Sequence, residues 1–146
     1  MNISGTVGAI LNQKGHQVYS ISADATVFEA IQLMSDKNIG ALLVTSDDKL
    51  VGVISERDYT RKVALKGKSS RETKVREIIS SPALSATPGH SVEECMRLMT
   101  SNRFRHLPVL EGEKLFGIVS IGDLVNWTIS AQDAAIEQLK SYIAGL

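Results

Sequence analysis

An α+β fold is what this sequence predicts: two repeats packed sheet to sheet with pseudo-twofold symmetry, followed by a C-terminal helix. Three observations carry that reading. First, Leu50-Val51-Gly52-Val53-Ile54-Ser55-Glu56-Arg57-Asp58 returns sixty-five residues later as Leu115-Phe116-Gly117-Ile118-Val119-Ser120-Ile121-Gly122-Asp123. Second, caps, apolar stripes and hairpins register at the same offset from Thr26/Ser91 through Asp58/Asp123 without a gap. Third, each half reads helix, strand, helix, strand, strand, helix, which leaves a sheet face that one half cannot cover alone.

In chain order, residues 3–12 predict a short helix with Val7, Ile10 and Leu11 at apolar spacing, stopped by Lys14-Gly15-His16. Val18-Tyr19-Ser20-Ile21 alternates as a strand does. Thr26-Val27-Phe28-Glu29 is a capping box, and Val27, Ala30, Ile31 and Met34 share one face of the helix it opens, which ends near Asn38. Ala41 to Val44 and Leu50 to Ile54 form a hairpin across Ser46-Asp47-Asp48-Lys49. The Ser55-x-x-Asp58 that follows has N-cap spacing and starts a helix to about Leu65.

The first repeat thus spans 5–66 and a polar linker 67–71, Lys66-Gly67-Lys68-Ser69-Ser70 marking the break. The second repeat spans 72–128. There Val75 to Ile79 echoes Val7 to Leu11, and Ser91-Val92-Glu93-Glu94 repeats the capping box. Val92, Cys95, Met96 and Met99 repeat the stripe, and Leu107 to Leu110 with Leu115 to Val119 repeat the hairpin. The extension 129–146 continues the last helix. Its Ile129, Gln132, Ile136, Leu139 and Ile143, at steps of three and four, form a narrow seam suited to a dimer contact or a brace on the same subunit.

Apolar residues make up 43% of the 146, enough for a core, and aromatics 5%, so the core is aliphatic. Sixteen Lys plus Arg balance sixteen Asp plus Glu, which gives no whole-molecule pull toward nucleic acid or an anionic membrane. The single cysteine, Cys95, rules out an internal disulfide. With no hydrophobic leader and no apolar run of about 20 residues, it predicts a cytoplasmic protein. Cys95 on the apolar stripe reads as a buried hydrophobe rather than a nucleophile. His16 and His90 lack ligand-spaced partners, so no metal site is expected.

The Gly-h-h-Ser-x-x-Asp element in both halves resembles the CBS-domain pair, or Bateman module, over about residues 5–128. Ile54 to Tyr59, Arg103-Phe104-Arg105-His106-Leu107-Pro108-Val109, Ile121-Gly122-Asp123 and Tyr142-Ile143-Ala144-Gly145 are similar to the stand-alone bacterial type. The resemblance implies βαββα-type repeats with adenosine nucleotides held in clefts between them. AMP is the first expectation, with ADP, ATP, NAD(H) or S-adenosylmethionine as alternatives, and a homodimer of pairs is implied.

Residue chemistry fits such a ligand. A carboxylate can take both ribose hydroxyls, which points to Asp58 and Asp123, with Ser55 and Ser120 beside them. Phosphate needs cationic donors, and Arg103, Arg105 and His106 cluster after the second long helix; Arg57, in a helix's first turn, fits an anion better than the dipole. Where the second half has those cations, the first has Asn38, Gly40 and Ala41, small and uncharged. The two clefts are therefore expected to differ, with adenine on Ile21, Ala41 and Val53 in one and on Leu84, Leu107 and Ile118 in the other. Leu107 and Pro108 complete the expected nucleotide-binding set. No Walker A loop, Gly-x-Gly-x-x-Gly, His-Glu-x-x-His or Ser/His/Asp arrangement is present. The expectation is a non-catalytic energy-sensing module that signals through conformation or dimer arrangement to a separate effector protein. The alternative is a nucleic-acid adaptor using the basic linker from Arg61 to Arg76.

Overall fold

Two β-hairpins with the same irregularity anchor the structure, a computed structural model that describes residues 5–79 and 84–144. The elements are α1 (Val7–Lys14), β1 (Ser20–Ser22), α2 (Val27–Lys37), β2 (Ala41–Ser46), β3 (Lys49–Ser55), α3 (Glu56–Tyr59), α4 (Val92–Asn102), β4 (His106–Glu111), β5 (Lys114–Ser120) and α5 (Ile121–Ala144). In β2–β3 the register shifts after Val44↔Gly52, and in β4–β5 after Val109↔Gly117, so even the bulge repeats. Asp47 and Asp48 both take positive φ at the first hairpin turn, and Gly112 does so at the second.

The chain folds as two units, Gln17–Leu84 and Met1–His16 with Ser85–Leu146. As a sequence repeat the first half begins near residue 5; as a packed object it gives its leading helix away. In the second unit, Val7 N–H donates to His90 O (2.9 Å), Gly8 N–H to Pro88 O (2.9 Å) and Val92 N–H to Gly5 O (3.2 Å). In the first unit the mid-chain lead makes the same three bonds: Val75 N–H to Ala25 O (2.9 Å), Arg76 N–H to Ala23 O (2.9 Å) and Val27 N–H to Thr73 O (2.8 Å). Each lead thus caps the long helix of a repeat it does not precede at the expected place. The expected echo of α1 at Val75 to Ile79 shrinks to one 3-10 turn over Val75–Glu77. There the Glu77 carboxylate turns back to accept the Lys74 N–H at 2.6 Å.

The unit Gln17–Leu84 holds a three-stranded sheet ordered β1-β2-β3, with β1 parallel to β2. Its core joins Val27, Ala30 and Met34 of α2 to Leu42, Val44 and Ile54 of the sheet, closed by Val63, Val75 and Ile78. β1 is shorter than the expected strand, though Tyr19 O still accepts the Leu43 N–H at 3.1 Å. Helix α2 has both halves of its capping box, at 3.1 and 3.2 Å, and ends on Asn38 in the left-handed conformation. The helix expected from Ser55 to about Leu65 has the right extent, but from Thr60 to Ala64 it widens to π geometry, with Leu65 N–H donating to Thr60 O (3.0 Å).

In the other unit the counterpart of β1 is a single parallel bridge, Ala86↔Val109. Prolines account for this. Pro108 stands where Leu43 donates to Tyr19 O, and Pro88 where Ala23 donates to Thr45 O, so neither bond can form. Helix α4 has Ser91 accepting the Glu94 N–H at 3.0 Å, but the return half of the expected box is missing; the Glu94 carboxylate lies 3.8 Å from His90 instead. The core unites Val7, Ile10 and Leu11 of α1 with Val92, Cys95 and Met99 of α4, Leu107, Val109 and Val119 of the hairpin, and Leu124 of α5. A Cβ on Gly117 would sit 2.9 Å from Leu11 Cδ1, so the motif glycine is the seat for α1. Helix α1 starts at Val7, later than expected, with Thr6 as N-cap; residues 3 and 4 of the expected helix, and Gly145, lie outside the described residues.

Candidate functional site

Each half ends its hairpin in a helix-start turn closed by its own serine and aspartate. In the first, Asp58 N–H donates to Ser55 Oγ (3.2 Å), while Asp58 Oδ2 accepts the Ser55 N–H (2.9 Å) and hydroxyl (3.0 Å). In the second, Asp123 N–H donates to Ser120 Oγ (3.1 Å) and Asp123 Oδ2 accepts the Ser120 N–H (2.8 Å). Both turns are thus reciprocal caps. A cap of this kind takes up one carboxylate oxygen and leaves the other available.

A lysine attends each aspartate, from a different place. Lys62, one turn down its own helix, lies 3.4 Å from Asp58 Oδ1 and donates to Ile78 O at 2.8 Å. Lys14 arrives from the end of α1, donating to Asp123 Oδ2 at 2.6 Å and to Ile118 O at 3.2 Å. Burial works to raise the Asp123 carboxyl. The Lys14 hydrogen bond, the Ser120 N–H, the Lys14 charge and the Ser120 hydroxyl outweigh it and hold Asp123 below the ordinary aspartate range. Asp123 Oδ1 has no hydrogen-bond partner among the described residues. Lys14 escapes a reading of the sequence because 109 positions separate it from its partner.

The hairpin register sets which expected residues meet. His106 lies across from Ser120, and Arg105 O accepts the Ile121 N–H at 2.8 Å, so Arg105 and His106 flank the Ser120–Asp123 turn. Ala41 lies across from Ser55 and Gly40 O accepts the Glu56 N–H at 3.1 Å, the same arrangement without the cations. Arg103 and Arg105 are exposed, and neither they nor Arg57 makes an ion pair or side-chain hydrogen bond among the described residues. Arg105 leads into the apolar strand β4, but its side chain is out in solvent and bears no desolvation cost. Arg103 is the left-handed C-cap of α4, at φ 58°.

Leu107 and Pro108 are both buried, and Leu107 belongs to the core. Leu107 is fully buried among Val109 and Val119, so it has no face on which a base could stack. Ala41 is only 8% exposed, on the face of β2 opposite the core residues Leu42 and Val44. Ile21, Val53 and Ile118 are half-buried and keep accessible surface. Beside Asp123, a cavity of about 380 Å³ is lined by Ile10, Gln13, Lys14, Asn126, Trp127 and Ser130, among others. Of the basic linker residues, Arg76 pairs with Asp24 (2.6 Å), Lys62 with Asp58, and Arg71 lies 3.9 Å from the Phe28 ring centre. Cys95 is fully buried, and desolvation, with the nearby Glu94 charge, pushes its thiol up to about 11.

Duplicated bulged hairpins, each running into a Ser-Asp helix cap, define a tandem-repeat α+β module with a C-terminal helix. The CBS domain family model matches twice, at residues 7–65 and 75–130, and the chain belongs to that family. It is 36% identical over 151 residues to the mitochondrial CBS domain-containing protein CBSX3 of Arabidopsis thaliana, covering 97% of this chain and 73% of that protein. A signal-transduction protein with CBS domains from Burkholderia ambifaria superposes with TM-score 0.83 at 46% identity, covering 88% of this chain and 96% of that one. A hexameric CBS-CP12 protein from bloom-forming cyanobacteria superposes at 0.76 with 28% identity, covering 97% and 88%. CBS domains bind adenosine ligands and act as regulatory modules. Among the described residues no helix is long and apolar enough to cross a membrane.

Proposed function

We propose that this chain is a non-catalytic sensor of adenosine nucleotides, with AMP as first ligand and ADP, ATP or NAD(H) as competitors for the same turn. One observation carries the reading: Asp123, held ionised with Oδ1 uncommitted, shares the start of α5 with the solvent-exposed Arg105 and with His106. A carboxylate oxygen can take the ribose hydroxyls while the guanidinium takes phosphate. The first half offers Asp58 for ribose but only Gly40 and Ala41 in place of the cations, so it should prefer a ligand with less phosphate. Arg57 and Arg103 extend the basic surface of their halves.

Binding becomes a signal only if the nucleotide favours one of two states of the module or of its self-assembly. Self-association is part of the reading, in keeping with the hexameric CBS-CP12 relative; the effector is a separate protein. A melting-temperature screen against AMP, ADP, ATP, NAD, NADH and S-adenosylmethionine tests it. A dose-dependent rise for at least one adenosine ligand, with ATP left intact over a long incubation, is expected. No rise for any of the six overturns the sensor, and ATP breakdown overturns the non-catalytic reading.

A further inference from the structure

The outer turns of α5 carry apolar side chains that no described residue covers. Ile129, Ile136, Leu139, Tyr142 and Ile143 are 50–69% exposed, which leaves this face open to a partner. Taken as heptads, Ile129, Ile136 and Ile143 fall at a positions and Val125, Gln132 and Leu139 at d. Asp133 and Lys140 occupy successive e positions, Ala135 and Tyr142 successive g positions.

We propose that this seam pairs antiparallel with the same seam on a second copy of the chain, Ile136 level with the partner's Leu139. In that register Asp133 faces the partner's Lys140, Ala135 makes room for the partner's Tyr142, and Gln132 meets the partner's Ile143. The two-fold axis makes each contact twice. Sliding one heptad either way sets Asp133 against the partner's Asp133, or Lys140 against the partner's Lys140, and both repel. A parallel pair would set Ala135 beside the partner's Lys140 and Thr128 beside the partner's Asp133, with no ion pair. Lys140 is free to turn outward, since its contact to Glu137 on the same helix is long (3.4 Å) and both side chains are largely exposed. A lipid surface fits less well, because Lys140 is the tail's one cation against Asp133 and Glu137. The overlap from Gln132 to Ile143 is only about 18 Å long, so the pairing is reversible and concentration-dependent.

The inference names a surface for the self-association proposed above and does not depend on nucleotide. Sedimentation over a concentration series, on full chains whose far-UV circular dichroism matches wild type, tests it with Ile136→Lys, Asp133→Lys, Lys140→Asp and the double exchange. Ile136→Lys should abolish the association step. Each single exchange should weaken it about tenfold, as expected for two exposed ion pairs turned repulsive, and the double exchange should restore it. No association by wild type, or association indifferent to all four variants, overturns the surface; single losses that the double exchange fails to restore overturn the antiparallel register. AMP titration of the Ile136→Lys chain should be unchanged, which separates failure of the seam from failure of the sensor.

Discussion

Replacing Asp123 by Asn removes a charge while keeping an oxygen that can accept the Ser120 N–H. What is lost is the contact to Lys14, 2.6 Å long between side chains 40% and 21% exposed. A partly exposed ion pair of this kind contributes about 0.5–1 kcal/mol, and for a chain of this size that lowers the melting temperature by about 1–4 °C. Lys14→Ala removes the same pair and the bond to Ile118 O, so it should cost slightly more. The double variant should cost less than the two losses added, with a coupling of about 0.5–1 kcal/mol. Because Asp123 is held below its unfolded value of about 3.9, the wild-type advantage is fully present above that pH. It fades as pH falls through the lower folded value. Urea titrations of the four proteins at pH 7 and through the acid range measure this directly. Strict additivity, or an Asp123→Asn penalty that persists at low pH, would refute the claim that Lys14 is what stabilises the Asp123 carboxylate.

Other expected outcomes follow from the same contacts. Arg105→Ala should weaken AMP far more than adenosine in calorimetry, and equal losses would remove Arg105 as the phosphate donor. Gly117→Ala pushes a methyl group to 2.9 Å from Leu11 Cδ1 and should cost about 1–3 kcal/mol in urea unfolding; a neutral result would show that α1 does not rest on that glycine. The Cys95 thiol, fully buried and raised to about 11, should resist a disulfide reagent until the chain unfolds, and rapid native labelling would contradict its burial.

The repeat was legible because its devices are local: a Thr or Ser cap, an apolar stripe of spacing three and four, a Gly before β-branched residues, a Ser-x-x-Asp. The hairpin register and the bulges at Gly52 and Gly117 obey the same offset that the sequence shows. What escaped depends on distant partners. Nothing in Val7 to Leu11 says that this lead binds Pro88 and His90 rather than the residues that follow it. Lys14 reads as a helix end until Asp123 is beside it, and Leu107, apolar next to cations, reads equally well as a ligand wall or as core. The paired prolines, Pro88 and Pro108, were visible, and their cost to the β1 counterpart follows once the parallel pairing is known.

The proposal that the Ser120–Asp123 turn holds a ribose is tested most directly by calorimetric titration of AMP into wild type and Asp123→Asn. A hydrogen bond to a charged group contributes about 1.5–3 kcal/mol, so the variant should bind AMP roughly ten- to a hundredfold more weakly while unfolding as cooperatively as wild type. Equal affinity in the two proteins would contradict the account.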